Sequence, residues 1–149
     1  MNIRTEKIES GEEEIIIRYR EMTSEISHAI EYLNRADRSI AGRKGKQLFL
    51  LEYGDILYFE CVDNAVFAYT DSEAYQIQFS LSELEDRTKS MSFFRCNKSF
   101  IVNIKKITAL KSNLGNRIDA TLKNGEHIVI SRHYAKRLRE ILKGGEEDE

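Results

Sequence analysis

The residues of this 149-residue chain best able to act as nucleophile, base or metal ligand are Cys61, Cys96, His28, His127 and His133. The chemistry they would support is attack by a thiolate through a histidine base. That chemistry comes with a recognisable setting, such as a strained glycine elbow, a phosphate loop or ligands at metal spacing. None of these surrounds them, and the two cysteines lack both the spacing of a redox pair and the four-ligand pattern of a zinc site. They read as buried or incidental thiols, the histidines as structural or exposed groups, and the chain as no enzyme, with no cofactor and no metal.

A second set of side chains points to a different kind of chemistry. The formal charge of −2 conceals a segregation. Residues 1–39 carry 6 basic and 9 acidic side chains, and residues 52–86 carry 9 acidic and none basic. Residues 87–143 carry 14 basic and 3 acidic, and the end, 144–149, reads GGEEDE. Clustered positive charge concentrates polyanions and releases counterions from phosphate, which favours nucleic acid over a small metabolite as partner. A solvated basic face is the plainer account of the same charges.

The elements that must position these residues can be read from local patterns. With 41 % apolar residues the chain can bury the core of one ordinary domain. Its longest apolar runs fall far short of a membrane span, and its first residues lack the apolar stretch of a secretory signal, so a cytoplasmic location is expected. Residues 14–19 are rich in β-branched side chains and predict a strand, and Thr23 and Ser24 are candidate helix caps. Ile26, Ala29, Ile30 and Leu33 then predict a helix between Thr23 and Ala36. SIAGRKGK, residues 39–46, reads as a linker, giving a strand–helix unit with its linker over residues 1–44.

From Gln47 onward the runs are short and strand-like: 48–51, 56–61, 65–70 and 75–79. In the last, Tyr75, Ile77 and Phe79 alternate with Gln76 and Gln78. Ser80 and Glu83 form a capping-box pattern that starts a helix through Arg87. Ile118, Ala120 and Leu122 alternate before Asn124–Gly125, which predicts a two-residue hairpin turn into a strand over 127–130. A terminal helix follows Ser131, with Tyr134, Leu138, Ile141 and Leu142 on its buried side and Gly144 as its stop. The expected class is mainly β with short helices, α+β, with the principal domain over residues 45–143 and a disordered acidic tail over 144–149.

Residues 93–107, FFRCNKSFIVNIKKI, and residues 124–134, NGEHIVISRHY, carry a family resemblance, supported upstream by DILYFECVDNAVFAYT at 55–70. Three separated matches in order resemble the LytTR family of bacterial response-regulator DNA-binding domains, over about two-thirds of the chain. The resemblance implies an elongated β-sheet domain that lays loops into successive major grooves and bends the duplex. It further implies two copies on paired direct repeats, hence a homodimer at least on DNA. The upstream unit is similar to that of compact, stand-alone regulators without a phospho-acceptor receiver, some of which are paired with a small membrane protein as regulator. No small-molecule substrate is implied.

Carried over by position, the family's base-contacting sites match Asn64 or Ala65 in a first loop, Asn103 after FIV, and Arg132 with its neighbours Ser131 and His133. Asn97, Lys98 and Ser99 match positions that meet the backbone and neighbouring bases. The chemistry suits these places: Arg grips guanine O6 and N7 with two donors, and Asn matches adenine N6 and N7. Lys98, Lys105, Lys106 and Lys136 suit phosphate, which sets register and affinity without reading sequence. The chain departs from the family at Asn97, where many members have His, and at Ala65, where many have an aromatic or polar residue.

Structural roles compete with each assignment. Asn103 could cap the turn that begins at Ile104, Ser131 could be a helix cap only, and Arg132 could pair with an acidic neighbour. For the whole chain the alternatives to DNA are a protein-interaction or dimerisation module that meets an acidic partner through its basic face, and an RNA binder that stacks bases on Tyr58, Phe67 and Tyr69.

Overall fold

A computed structural model describes residues 1–147. The chain divides into two compact units, Met1–Arg35 and Ala36–Glu149. Helix α1 (Ser24–Arg38) starts in the first unit, where the sequence predicts, and its last residues belong to the second. Thr23 Oγ1 accepts from the Ile26 N–H at 3.2 Å, and the Thr23 carbonyl accepts from the Ser27 N–H. These bonds satisfy donors that the first helical turn leaves open. The predicted strand over 14–19 is absent. β-Branched residues favour a strand only where a neighbouring strand accepts their backbone bonds, and no ladder includes this segment.

The second unit holds ten strands in two antiparallel sheets. The strands of the larger sheet, in chain order, are β1 (Ser39–Lys44), β2 (Gln47–Glu52), β3 (Tyr58–Val62), β4 (Ala65–Tyr69), β5 (Ala74–Ile77), β6 (Phe93–Arg95) and β7 (Phe100–Asn103), arranged β2-β1-β5-β4-β3-β7-β6. The smaller sheet is formed by β8 (Ile107–Ser112), β9 (Ile118–Leu122) and β10 (His127–Ile130), arranged β10-β9-β8. Two helices complete the unit, α2 (Leu81–Arg87) and α3 (Arg132–Glu147).

The segment expected as a linker, residues 39–46, is β1 and its turn into β2. Its two glycines serve the sheet. A Cβ on Gly42 would lie 2.7 Å from Leu51 Cδ1 and 2.8 Å from Tyr75 Cβ, so only glycine lets these strands meet. Gly45, at φ +62, takes the first position of the Gly45–Lys46 turn, the place where a two-residue hairpin calls for glycine.

The large sheet is packed on both faces. Phe59, Val66, Ala68, Ile77 and Ile101 face Leu81 and Leu84 of α2, with Ile40, Leu51 and Ile56 closing that core. Tyr58, Val102, Phe94 and Cys96 join Ile118, Ala120, Leu122, Ile128 and Ile130 of the small sheet and Ala135 and Leu138 of α3 in the other. The period-2 readings hold here: Ile118, Ala120 and Leu122 are buried with Asp119 and Thr121 between them less so, and Ile77 is buried between exposed Gln76 and Gln78. The Ser80 half of the capping box also forms, with Ser80 Oγ accepting from the Glu83 N–H at 3.1 Å, while the Glu83 side chain reaches back to the Ser80 hydroxyl, Oγ donating to Oε1 at 3.2 Å.

Two local readings change. Residues 123–125 form a three-residue turn, closed by Gly125 N–H to the Leu122 carbonyl and Leu122 N–H to the Glu126 carbonyl, and of Asn124 and Gly125 only the glycine has positive φ. The Asn–Gly pair is used in a turn with a glycine bulge in place of the expected two-residue form. In α3 the buried side is Ala135 and Leu138 with half-buried Tyr134, while Ile141 and Leu142 are exposed, because the core contacts end at Leu138. The helix passes Gly144 and reaches Glu147. Glycine costs a helix only about 1 kcal/mol and stops it when the backbone turns left-handed. Of the tail expected to be disordered, residues 144–147 are helical, and 148–149 lie outside the described residues.

Candidate nucleic-acid interface

The strand registers set the ends of β3, β4, β6 and β7 in two groups. Tyr58 pairs with Val102 and Glu60 with Phe100, Val62 with Ala65, and Arg95 with Ile101. One end of these strands therefore carries the β3–β4 turn and the loop 96–99. The other carries residues 53–55, 90–92 and 104–106.

At the first end, the β3–β4 turn consists of Asp63 and Asn64, both at positive φ (50° and 66°). Aspartate and asparagine tolerate that region better than other side-chain-bearing residues, and positive φ at both positions is the hairpin turn that matches strand twist. The turn presents Asn64 exposed at its tip and Ala65 half-buried at its foot.

The loop 96–99 is held from several sides. Asn97 Oδ1 accepts from the Ser99 N–H at 2.8 Å and its Nδ2 donates to the Val129 carbonyl at 3.1 Å. Arg95, which the sequence analysis does not single out, lies beneath the loop. Its Nε donates to the Asn97 carbonyl at 2.9 Å, Nη2 to the Lys98 carbonyl at 2.7 Å, and Nη1 reaches Glu85 at 3.2 Å. Lys98 is exposed. Cys96 is fully buried, and burial pushes its thiol up to about 12, so it stays protonated and serves as core.

The third piece is the start of α3. Ser131 accepts the Ala135 N–H with its carbonyl at 2.7 Å, and its own N–H donates to the Cys96 carbonyl at 2.9 Å. Arg132, His133 and Lys136 are exposed on the first turns. The face begun by Arg132 and Lys136 continues through Arg139 and Lys143 at helical spacing.

Three long-range bonds tie these pieces together: Cys61 N–H to the Ser99 carbonyl at 2.8 Å, Asn97 Nδ2 to Val129, and Ser131 N–H to Cys96. Asn64, Ala65, Asn97, Lys98, Ser99, Ser131, Arg132 and His133 thus belong to one stitched end of the domain.

Asn103, Lys105 and Lys106 belong to the other end. Asn103 is 2 % exposed. Its Nδ2 donates to the Ile56 carbonyl at 3.0 Å, and its Oδ1 accepts from the Lys105 N–H at 3.1 Å, capping the 3-10 turn Ile104–Lys106. Asn103, expected as a base reader, is thus set apart from the exposed tips, with its side chain buried and its amide engaged by Ile56 and Lys105. Lys105 and Lys106, with Lys123, line an open cleft of about 730 Å³ that also includes Tyr53, Ser90 and Ser92. The Lys123 N–H donates to the Lys106 carbonyl at 2.9 Å and fixes that grouping. The sequence shows Lys123 only as one member of the basic segment, and nothing local marks it as a neighbour of Lys106.

Comparisons with known proteins bear on the family and fold of this domain. The family model of the LytTr DNA-binding domain matches residues 46–143. The sensory transduction protein LytT of Bacillus cereus is 33 % identical over 98 residues, which is 66 % of this chain and 40 % of that protein. The transcriptional regulatory protein YpdB of Escherichia coli (strain K12) is 28 % identical over 100 residues, 66 % of this chain and 41 % of that protein. The chain thus spans about two-fifths of the length of these relatives. The solved LytTr DNA-binding domain of a methyl-accepting/DNA response regulator from Bacillus cereus superposes with a TM-score of 0.67 at 25 % identity, covering 70 % of this chain and 96 % of that one. Family model, relatives and structural match converge, and the chain belongs to the LytTR family of DNA-binding domains.

Proposed function

We propose that this chain is a sequence-specific transcription regulator that meets duplex DNA with the stitched end of its β domain. The observation that carries the reading is the set of bonds that hold the Asp63–Asn64 turn, the loop 96–99 and the start of α3 together while leaving Asn64, Lys98, Arg132 and His133 free. Three exposed tips on one rigid support suit insertion into grooves, with Arg132 and Asn64 as base readers and Lys98 and Lys136 on phosphate. Ser99, Ser131 and Asn97 act mainly by shaping the loops. Asn97 keeps its amide for Ser99 and Val129, and Ala65 contributes surface only. Lys105 and Lys106, at the far end, reach flanking phosphates when the duplex bends toward them.

Selection from random duplexes with the full chain, at two salt concentrations, tests this. Enrichment of a defined repeat whose affinity falls as salt rises is the expected result. The family resemblance implies paired direct repeats, and the enriched sequences give both spacing and orientation. Absence of enrichment by a folded protein would overturn the proposal and leave the acidic-partner reading of the basic face. Bending is tested by moving the selected site along a fragment and comparing gel mobilities, which vary with position only if the duplex is bent.

A further inference from the structure

Sheet edges carry unpaired N–H and C=O groups, and stable proteins shorten, twist, charge or cover them. Three of the four sheet edges among the described residues are treated in this way. β6 has three residues. β8 is interrupted by a register shift between Ile107 and Ala109 and carries Lys111. β10 is covered by the loop 96–99, through Asn97 Nδ2 on the Val129 carbonyl and the adjoining Ser131 N–H on the Cys96 carbonyl. β2 is the exception. Its six residues, QLFLLE, pair on one side only, with β1 in unbroken register, and include neither proline nor lysine. Leu48 is 67 % and Leu50 63 % exposed.

The free groups of this edge can be identified. The two-residue turn Gly45–Lys46 makes Lys44 and Gln47 the closing hydrogen-bonded pair, and bonded pairs alternate along an antiparallel ladder. Gln47, Phe49 and Leu51 therefore bond to β1, while the N–H and C=O groups of Leu48, Leu50 and Glu52 point away from the sheet. An antiparallel partner strand must offer the same arrangement. β2 does so for itself about a two-fold axis at Phe49: Leu48 then lies opposite Leu50 of the second copy, and Lys46 lies opposite its Glu52. This register puts apolar side chains against apolar ones and opposite charges against each other, twice each.

We propose that the free edge of β2 pairs with the β2 edge of a second copy, joining two seven-stranded sheets into one continuous sheet. The inference concerns an edge outside the proposed DNA interface and stands independently of that reading.

Sedimentation of the full chain without DNA, over the micromolar range, tests it. A dimer is expected, and Leu48→Glu with Leu50→Glu raises its dissociation constant by more than about 100-fold, because four exposed leucines lose their burial and like charges face each other. Glu52→Lys alone weakens the dimer a few-fold, and adding Lys46→Glu restores it, a rescue specific to this register. A wild-type monomer throughout the range, or a dimer indifferent to the leucine substitutions, would overturn the proposal. The leucine variant keeps a cooperative unfolding transition, whose midpoint no longer rises with protein concentration, and the wild-type affinity for a single half-site, so failure of the pairing is distinguished from failure of DNA binding.

Discussion

The two ends of the β3, β4, β6 and β7 strands are both basic, yet they use their polar groups in opposite ways. At the end bearing Asn64, Lys98 and Arg132, hydrogen bonds are spent on backbone, and the side chains at the tips remain free. At the end bearing Lys105, Lys106 and Lys123, the one amide that could read a base, Asn103, is buried and holds Ile56 and Lys105. Positive charge suits both ends to phosphate. What separates them is which polar side chains still have donors and acceptors to give.

The largest test of that contrast is Asn103→Ala. It strands the Ile56 carbonyl in the core, at roughly 1–3 kcal/mol for a buried group left unpaired, and removes the cap on the Lys105 N–H, which water can then reach. Thermal unfolding should occur at a clearly lower temperature, while base preference of the folded fraction is unchanged. A stable variant with altered preference would reverse the assignment of the two ends.

Arg132→Ala should do the converse. Affinity for the selected site falls by roughly 1–3 kcal/mol and discrimination relaxes at one base position, with the melting temperature unaltered. Binding titrations against single-base variants of the site read this directly, and unchanged discrimination would remove Arg132 from the readers.

Asn97→Ala probes the stitching itself. Losing the bonds to Ser99 and Val129 should cost about 1 kcal/mol of stability and loosen the loop that presents Lys98. Faster amide exchange at Ser99 is the accompanying sign, and exchange as slow as in the wild type would show that Arg95 alone suffices to hold the loop.

The smallest effects belong to the lysines. Lys98→Ala should weaken all sequences alike and reduce the slope of log affinity against log salt by about one. Lys105→Ala with Lys106→Ala should do so only on duplexes with long flanks. Equal loss on a short duplex limited to the selected site would place the far end in direct contact with that site.

How far the sequence revealed this arrangement depended on the range of the interaction. The capping box at Ser80 and Glu83, and the alternation of Ile118, Ala120 and Leu122, are set by neighbours a few residues apart and are legible. The strand expected at 14–19 and the linker expected at 39–46 failed for one reason. Whether a segment becomes a strand depends on a distant partner, and residues 39–44 have partners in β2 and β5 while residues 14–19 have none. The motif FFRCNKSFIVN located the loop 96–99 but did not distinguish Asn97 from Asn103. Their separate roles come from contacts with Val129 and Ile56, 32 and 47 residues away in sequence. Arg95 was in view within the motif, but its part under the loop depends on Glu85 in α2 and on the turn of the loop back over it.

The bonds between the three loops also bear on the thermodynamics of association. A loop that must be ordered on contact charges its lost conformational freedom against binding, whereas loops already fixed by Cys61, Asn97 and Ser131 leave little to lose. Association should then show the heat-capacity change of the surface it covers, without the larger change that accompanies coupled folding. Specificity would arise from a template that exists before the duplex arrives, so a mismatched site meets unsatisfied donors instead of a surface able to adapt.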